Sequence, residues 1–243
     1  MRVARVLAPA AIALVLLAGC GDDGGDAGSS TPSSTAPASN GIADQTAEEI
    51  LAAATGALEK AGSYRVSGEA KDGGEITSID FKVTGDDLFG TIGMEGTSIQ
   101  LLMVGNKSYF KADAEFWTMM GGPEGKTMAK LINDRWVKVA PDDDMFSGIS
   151  ELAGMADPKS LLKPDGKITK GEVKEIEAGP AIALVDESDK SSLYVATTGE
   201  PYPLLVESSD GDVAISGFGE SFPELKEPTE KEIVDLSEMT AGS

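Results

Sequence analysis

Apolar and polar residues alternate at every second position over most of the chain beyond residue 63, which is the pattern of half-buried β-strands. Gly, Asn and Asp clusters interrupt the alternation at short intervals, as in tight hairpin turns. The pattern therefore predicts two series of antiparallel hairpins. The predicted strands are 64–70, 79–83, 88–94, 99–103 and 108–111 in the first series, 135–139 after it, then 168–176, 181–185, 191–196, 202–206 and 212–216, with a last one at 233–236.

Helical spacing precedes the first strand. Thr46 and Glu49 have the spacing of a capping box, in which each side chain binds the other residue's backbone amide. Apolar residues then recur on one helical face from Ile50 to Leu58, and Gly62 ends the pattern. We expect this helix to pack on the sheet.

The middle of the chain, residues 114–163, breaks the strand rhythm with three short apolar segments of helical character, at 128–132, 141–155 and 157–164. Short helices inserted between two hairpin series are suited to cover the apolar face of a sheet, because a long one-sided sheet must curl or be covered. The predicted fold is α+β, with a strongly curled antiparallel sheet, a half-barrel, and short helices over its concave face.

The N terminus carries an export pattern. Arg2 and Arg5 precede an apolar run at 6–17, too short for a comfortable membrane span but suited to a signal peptide. Leu17-Ala18-Gly19-Cys20 resembles the bacterial lipobox, whose cysteine receives a diacylglyceryl group before cleavage on its N-terminal side. The alternative is an ordinary secretory signal followed by an incidental free thiol. The lipobox predicts a cell-membrane lipoprotein anchored on the extracytoplasmic face.

The predicted domain organisation follows from composition. Residues 1–19 form the signal peptide, and residues 20–43 form a lipidated N terminus and a disordered tether rich in Gly, Ser and Pro. Residues 44–243 form a single domain.

Charge and composition exclude several functions. The net charge of −21 argues against nucleic-acid binding, and the absence of histidine removes the usual base of Ser-His and Cys-His catalysis. The glycines around Lys126 lack the phosphate-loop spacing. Acidic clusters at 142–144 and 186–189 lack EF-hand spacing, and paired carboxylates of a hydrolase stay open as a minor alternative. We expect no enzymatic activity, no metal and no cofactor.

Methionine is concentrated in one region, since all except Met1 and Met239 lie between residues 94 and 155. Methionine adapts to varied apolar partners, so the region suits either a loosely packed core or a binding surface for acyl chains. The second interpretation predicts a ligand pocket. Its predicted lining is Phe81, Ile92, Met94, Leu101, Met103, Phe116, Trp117, Met119, Met120, Leu131, Met145, Phe146 and Met155.

The whole pattern resembles the actinobacterial lipoproteins of the LppX/LprG type, related in fold to the carrier LolA. The resemblance rests on the lipobox, the polar tether, the helix leading into residues 63–66, and residues 106–110, 134–137 and 193–201. It covers most of residues 44–220 as a pattern. It implies a half-barrel with a hydrophobic pocket and, as partners, a lipid or acylated ligand, the membrane through the anchor, and an unidentified envelope protein. The alternative function is a non-enzymatic interaction or sensor module that uses the half-barrel as a scaffold.

Overall fold

The computed structural model describes residues 38–72, 75–94, 96–139, 154 and 156–235. By contacts the chain divides into the units Met1–Ala36 and Pro37–Ser243, and the described residues belong to the second. The helices are α1 (Ala47–Ala61), α2 (Ala114–Ile132) and α3 (Pro158–Leu161), with 3₁₀ turns at Ile42–Asp44 and Glu230–Glu232. The strands are β1 (Ser63–Asp72), β2 (Glu75–Thr84), β3 (Asp87–Met94), β4 (Thr97–Val104), β5 (Lys107–Ala112), β6 (Trp136–Val139), β7 (Ile168–Ile176), β8 (Gly179–Asp186), β9 (Ser192–Ala196), β10 (Pro203–Ser208), β11 (Gly211–Ser216) and β12 (Ile233–Asp235).

The twelve strands form one sheet in the order β12-β6-β5-β4-β3-β2-β1-β11-β10-β9-β8-β7. All neighbours are antiparallel except β12, which runs parallel to β6. The hairpins predicted from the alternation are confirmed, and so are the strand after α2 and the short strand near the C terminus. The central contact is between β1 and β11, which joins the two hairpin series.

The predicted strongly curled half-barrel is wrong. The sheet is mixed and open, and its end strands β12 and β7 do not pair with each other. Of the two ways in which a long one-sided sheet can bury its apolar face, curling and coverage, this sheet shows coverage without strong curl. Helices pack along one face, and the chain after β11 supplies contacts on the other, so apolar surface is buried without closing the strands on themselves.

Helix α1 forms as its sequence predicts. The Thr46 hydroxyl accepts a hydrogen bond from the Glu49 amide at 3.3 Å, and the Glu49 carboxylate accepts one from the Thr46 amide at 2.9 Å. Gly62 ends the helix in the left-handed conformation, with φ 71°. Ile50 and Ala54 are fully buried against Ile182, Leu184 and Val195 of the second hairpin series.

Strand register places most of the buried apolar residues of β1–β6 in three rows that cross the sheet on one face. We call the first of these the outer row, the second the middle row and the third the inner row. The outer row is Tyr64, Val83, Leu88, Met103, Ser108 and Val139; the middle row is Val66, Phe81, Gly90, Leu101, Phe110 and Val137; the inner row is Gly68, Ile79, Ile92, Ile99 and Ala112.

Gly90 is required in the middle row. A Cβ atom at this position would lie 2.4 Å from the Phe81 ring, which sits over the glycine. The missing side chain thus makes room for the aromatic ring directly opposite it in the pairing of β2 with β3.

Helix α2 turns back on itself over this face. Gly122 adopts φ 53° and ψ −129°, which breaks the helix before Pro123. Because a Cβ on Gly125 would lie 1.8 Å from the Trp117 carbonyl oxygen, the second half of α2 passes directly against the first. Phe116 and Trp117 from the first half and Ile132 from the second are buried in the same core as the three rows.

The C-terminal segment 217–229 crosses the opposite face of the same strands. Its Glu224 pairs with Lys82 at 2.6 Å, and its Glu227 pairs with Lys107 and accepts a hydrogen bond from the Tyr109 hydroxyl at 3.1 Å. Tyr109 is 1% exposed although it points away from the helices. The segment leads into β12, which extends the sheet beyond β6.

The folded unit begins before residue 44. The Asn40 amide donates to the Thr197 carbonyl at 2.8 Å, its side chain donates to the carbonyl of Ala196, and Ile42 is buried. Residues 39–42, expected at the end of the tether, therefore contact β9 and the turn after it. Within the described residues, no helix combines the length and apolar character needed to cross a membrane.

Candidate functional site

A cleft of about 250 Å³ opens at the outer row. Four of its apolar lining residues are consecutive cross-strand neighbours from β1 to β4: Tyr64, Val83, Leu88 and Met103. The first three are buried and Met103 is partly buried. The cleft floor is therefore a continuous apolar strip provided by four adjacent strands.

The far wall of the cleft is held by a hydrogen bond to its floor. The Tyr64 hydroxyl donates to the Ala156 carbonyl at 2.6 Å, and Ala156 is 1% exposed. Burial raises the pKa of Tyr64, and the negative charge of Asp157 raises it further. The hydroxyl is thus protonated at physiological pH and remains a donor, which fixes residues 156–158 next to β1.

The rim of the cleft is acidic. Asp86 and Asp87 lie at the β2–β3 turn, and Asp157 lies on the opposite side. Asp157 caps α3 through the amides of Lys159 and Ser160, and Asp87 accepts from the Gly105 amide at 3.0 Å. The described lining contains no basic residue. An apolar floor with a carboxylate rim suits an uncharged chain and disfavours an anionic group.

The predicted pocket residues of the sheet are packed in the core. Phe81, Ile92 and Leu101 are each 1% exposed, and Phe116 and Trp117 cover them from α2. The Trp117 ring centroid lies 5.4 Å from that of Phe110 and 5.6 Å from that of Phe116. These residues come together beneath α2, where their own side chains fill the space.

The predicted methionines separate into three groups. Met94 and Met103 are partly buried at the margin of the core, and of these Met103 lines the cleft. Met119 and Met120 are 64% and 61% exposed, and Leu131 is 46% exposed. The structure therefore does not place these three residues of α2 in a pocket. Three further predicted residues, Met145, Phe146 and Met155, lie outside the described residues, as does Cys20.

The indole nitrogen of Trp117 is buried without a hydrogen-bond acceptor among the described residues. A buried donor without a partner costs about 1–3 kcal/mol relative to a satisfied one. The contact between α2 and the sheet is thus less favourable than its apolar burial alone indicates. One carboxylate oxygen of Glu224 is likewise buried without a hydrogen-bond donor among the described residues, whereas its other oxygen pairs with Lys82.

A second cavity, of about 80 Å³, lies between α1, the residues after α3, and β8. Leu51, Leu162 and Leu184 contribute apolar lining, and Asp186 closes one side. This volume is well below that of ordinary small-molecule sites, which is roughly 300–1,000 Å³. We interpret it as a packing space.

Asp186 is a structural carboxylate. It is 5% exposed and accepts hydrogen bonds from the Ser188 hydroxyl at 2.6 Å and from the amides of Ser188, Gly166 and Asp165 at 2.8–2.9 Å. These donors, above all the Ser188 hydroxyl, lower the pKa of Asp186 to about 2. They join the loop before β7 to the turn after β8. No group of three or more carboxylate, cysteine or histidine ligands occurs in the part of the chain that the structure describes.

Sequence reasoning missed Tyr64, Val83, Leu88 and Ala156 as site residues. The first three were recognisable as inward-facing strand positions, and the two-residue turn Gly85-Asp86 fixes Val83 opposite Leu88. Their exposure to a cleft depends on where Gly154 and residues 156–158 pack, for which the local sequence gives no signal.

Comparison with protein-family models and with curated protein sequences finds no match. Among solved structures, the chain is similar to an uncharacterized conserved protein from Thermus thermophilus, with 11% sequence identity and a TM-score of 0.39. The similarity covers 79% of this chain and 99% of that one. The resemblance to the LppX/LprG lipoproteins stays a prediction.

Replacing Asp186 by Asn should destabilise the protein in a pH-dependent way. The folded pKa of about 2 lies below the ordinary value of 3.8, so the ionised carboxylate stabilises the fold above about pH 4. This contribution is lost as the pH falls toward 2. Urea unfolding should show Asp186→Asn less stable than wild type at about pH 7, with the difference shrinking near pH 2.

The matched control is Asp189→Asn, since Asp189 is exposed and accepts the Ser191 amide at 2.8 Å. It should change the free energy of unfolding little at either pH. An Asp186→Asn deficit that is equal at the two pH values would contradict the assignment.

Proposed function

We propose that this protein is a lipoprotein of the cell membrane that binds an uncharged acyl chain in the cleft over the outer row, without catalysis. The observation that carries the proposal is the continuous apolar floor of Tyr64, Val83, Leu88 and Met103. Burial of an acyl chain there would contribute roughly 0.8 kcal/mol for each CH₂ group removed from water. The lipobox-like stretch ending at Cys20 supports a location where acyl chains are abundant.

The volume of the cleft and the charge of its rim indicate which ligands it can bind. Its volume of about 250 Å³ is small beside the roughly 300–1,000 Å³ of ordinary ligand sites, so it accommodates part of a lipid, such as one segment of an acyl chain. Asp86, Asp87 and Asp157 on the rim would repel a free carboxylate. We therefore expect a preference for acyl esters with neutral headgroups over fatty-acid anions.

A second candidate function is an interaction module that binds no lipid. It is favoured by the packing of Phe81, Leu101 and Trp117, which fill the space under α2. On this alternative the cleft would be an incidental surface feature. The two candidates are separated by whether the protein takes up an acyl probe.

Replacing Cys20 by Ser should prevent lipidation of the chain. A diacylglyceryl group supplies two acyl chains, enough for stable anchoring, whereas serine cannot receive it. We expect wild-type protein in the membrane fraction with an intact mass that corresponds to a lipidated chain starting at Cys20. Cys20→Ser should lack the lipid mass. Ser29→Ala serves as the control, and a wild-type mass without lipid would exclude the anchor.

Replacing Met103 by Trp should abolish acyl uptake, because the larger ring fills the cleft floor between Leu88 and Ser108. We expect at least a tenfold loss of binding of a monoacylglycerol with a fluorescent acyl chain. Wild type should bind this ester more tightly than the corresponding free fatty acid at neutral pH.

Val173→Trp is the matched control, because Val173 lies on β7 with 51% of its surface exposed and is remote from the cleft lining. It should bind the probe as wild type does. Urea unfolding of both variants separates lost binding from lost folding. Absence of uptake by wild type, or equal uptake by Met103→Trp, would favour the interaction module.

A further inference from the structure

Helix α2 exposes an unusual amount of apolar surface. Met119 and Met120 end its first half next to the break at Gly122, and Met128 and Leu131 lie one turn apart on its second half. Their exposed fractions are 64%, 61%, 36% and 46%. Four of the six large apolar residues that are exposed in the described chain thus belong to one helix. We call these four residues the α2 apolar surface.

Basic residues accompany the α2 apolar surface. Lys126 and Lys130 are exposed and lie one turn apart on the second half of α2, where Glu124 is the sole acidic residue. No ion pair to either lysine occurs among the described residues, although eight other basic side chains there are paired. In a chain of net charge −21, this half of α2 is locally positive.

We propose that the α2 apolar surface docks on anionic lipids at the extracytoplasmic surface of the membrane. Methionine and leucine side chains would enter the headgroup boundary while the two lysines contact lipid phosphates, the arrangement of an interfacial helix. The overall acidity argues against membrane contact through most of the surface, whereas the second half of α2 combines exposed apolar residues with two lysines and one acidic residue.

The proposed anchor would limit how far the protein can move from the membrane. Pro37 lies seventeen residues after Cys20, and even a fully extended chain of that length spans at most about 60 Å, at roughly 3.3–3.6 Å per residue. A lipidated Cys20 would hold the unit Pro37–Ser243 within that distance of the leaflet. This step rests on the proposed anchor, whereas the chemistry of the α2 surface does not. Docking would bring the protein to the bilayer from which an acyl ligand comes.

The test places an environment-sensitive fluorophore on α2. Lipidation would block Cys20, the chain's one cysteine, so Met128→Cys can be labelled singly in protein purified from membranes. The labelled protein is reconstituted in vesicles of phosphatidylcholine and phosphatidylglycerol in equal parts. We expect blue-shifted emission and quenching by nitroxide-labelled lipid. The same label on Glu172→Cys, an exposed position of β7, should report water throughout.

Removing the two positive charges of α2 tests the docking quantitatively. Lys126→Gln with Lys130→Gln should lower the ratio of docked to undocked protein about 30-fold, a factor of about five for each lysine. Vesicles of phosphatidylcholine alone, or high salt, should weaken docking in wild type. Lys163→Gln with Lys167→Gln is the matched control and should leave the ratio unchanged.

Three results would overturn the docking proposal. Aqueous emission from Met128→Cys on anionic vesicles would exclude membrane contact. A blue shift that depends on protein concentration and not on lipid would instead indicate contact between copies of the chain. Insensitivity to removal of both lysines would exclude the charge contribution. Loss of the anchor is recognised separately, because the protein would then carry no lipid mass; Met128→Cys combined with Cys20→Ser, which has a single thiol, can then be tested by adding the same vesicles.

Discussion

The register of the first five strands is the constraint on which the rest of the structure depends. Two-residue turns at Gly85-Asp86 and Gly105-Asn106 join successive strands, with φ 57° at Gly85 and 54° and 65° at Gly105 and Asn106. Such positive angles favour glycine and asparagine and suit right-handed strand twist. A slip of one residue would move every apolar side chain of a strand to the other face.

The middle and outer rows of the helix-covered face are packed differently. Phe81 and Leu101 in the middle row meet Phe116 and Trp117 of α2 in a filled core. The outer row lies two residues further along each strand, roughly 7 Å away, and is bordered by Gly154 and residues 156–158. The cleft arises because the Tyr64–Ala156 hydrogen bond holds this border at the edge of the row.

Local sequence was sufficient to predict the parts of the fold that depend on local interactions. The capping box at Thr46 and Glu49 and the hairpin turns act over a few residues, and both were predicted. Coverage of the sheet depends on contacts between distant segments, such as Lys82 with Glu224, separated by 142 residues. Periodicity carries no signal for such contacts, and this is why a strongly curled sheet was predicted and an open one is found.

The same distinction explains the candidate site. Phe81 and Leu101 were predicted to line a pocket, but whether such inward-facing strand residues line space or fill it is decided by α2. Met119 and Met120 were expected in the pocket because methionine favours apolar surroundings. The break at Gly122 and the close approach of Gly125 to Trp117 direct α2 so that both methionines are exposed.

The central claim is that the cleft over the outer row holds an acyl chain. Native mass spectrometry of the protein purified from membranes tests it most directly, because the noncovalent ligand and the covalent anchor appear as separate masses. We predict one noncovalently bound, neutral acyl lipid on the lipidated chain. A lipidated chain that is folded and carries no noncovalent lipid under any extraction condition would contradict the account.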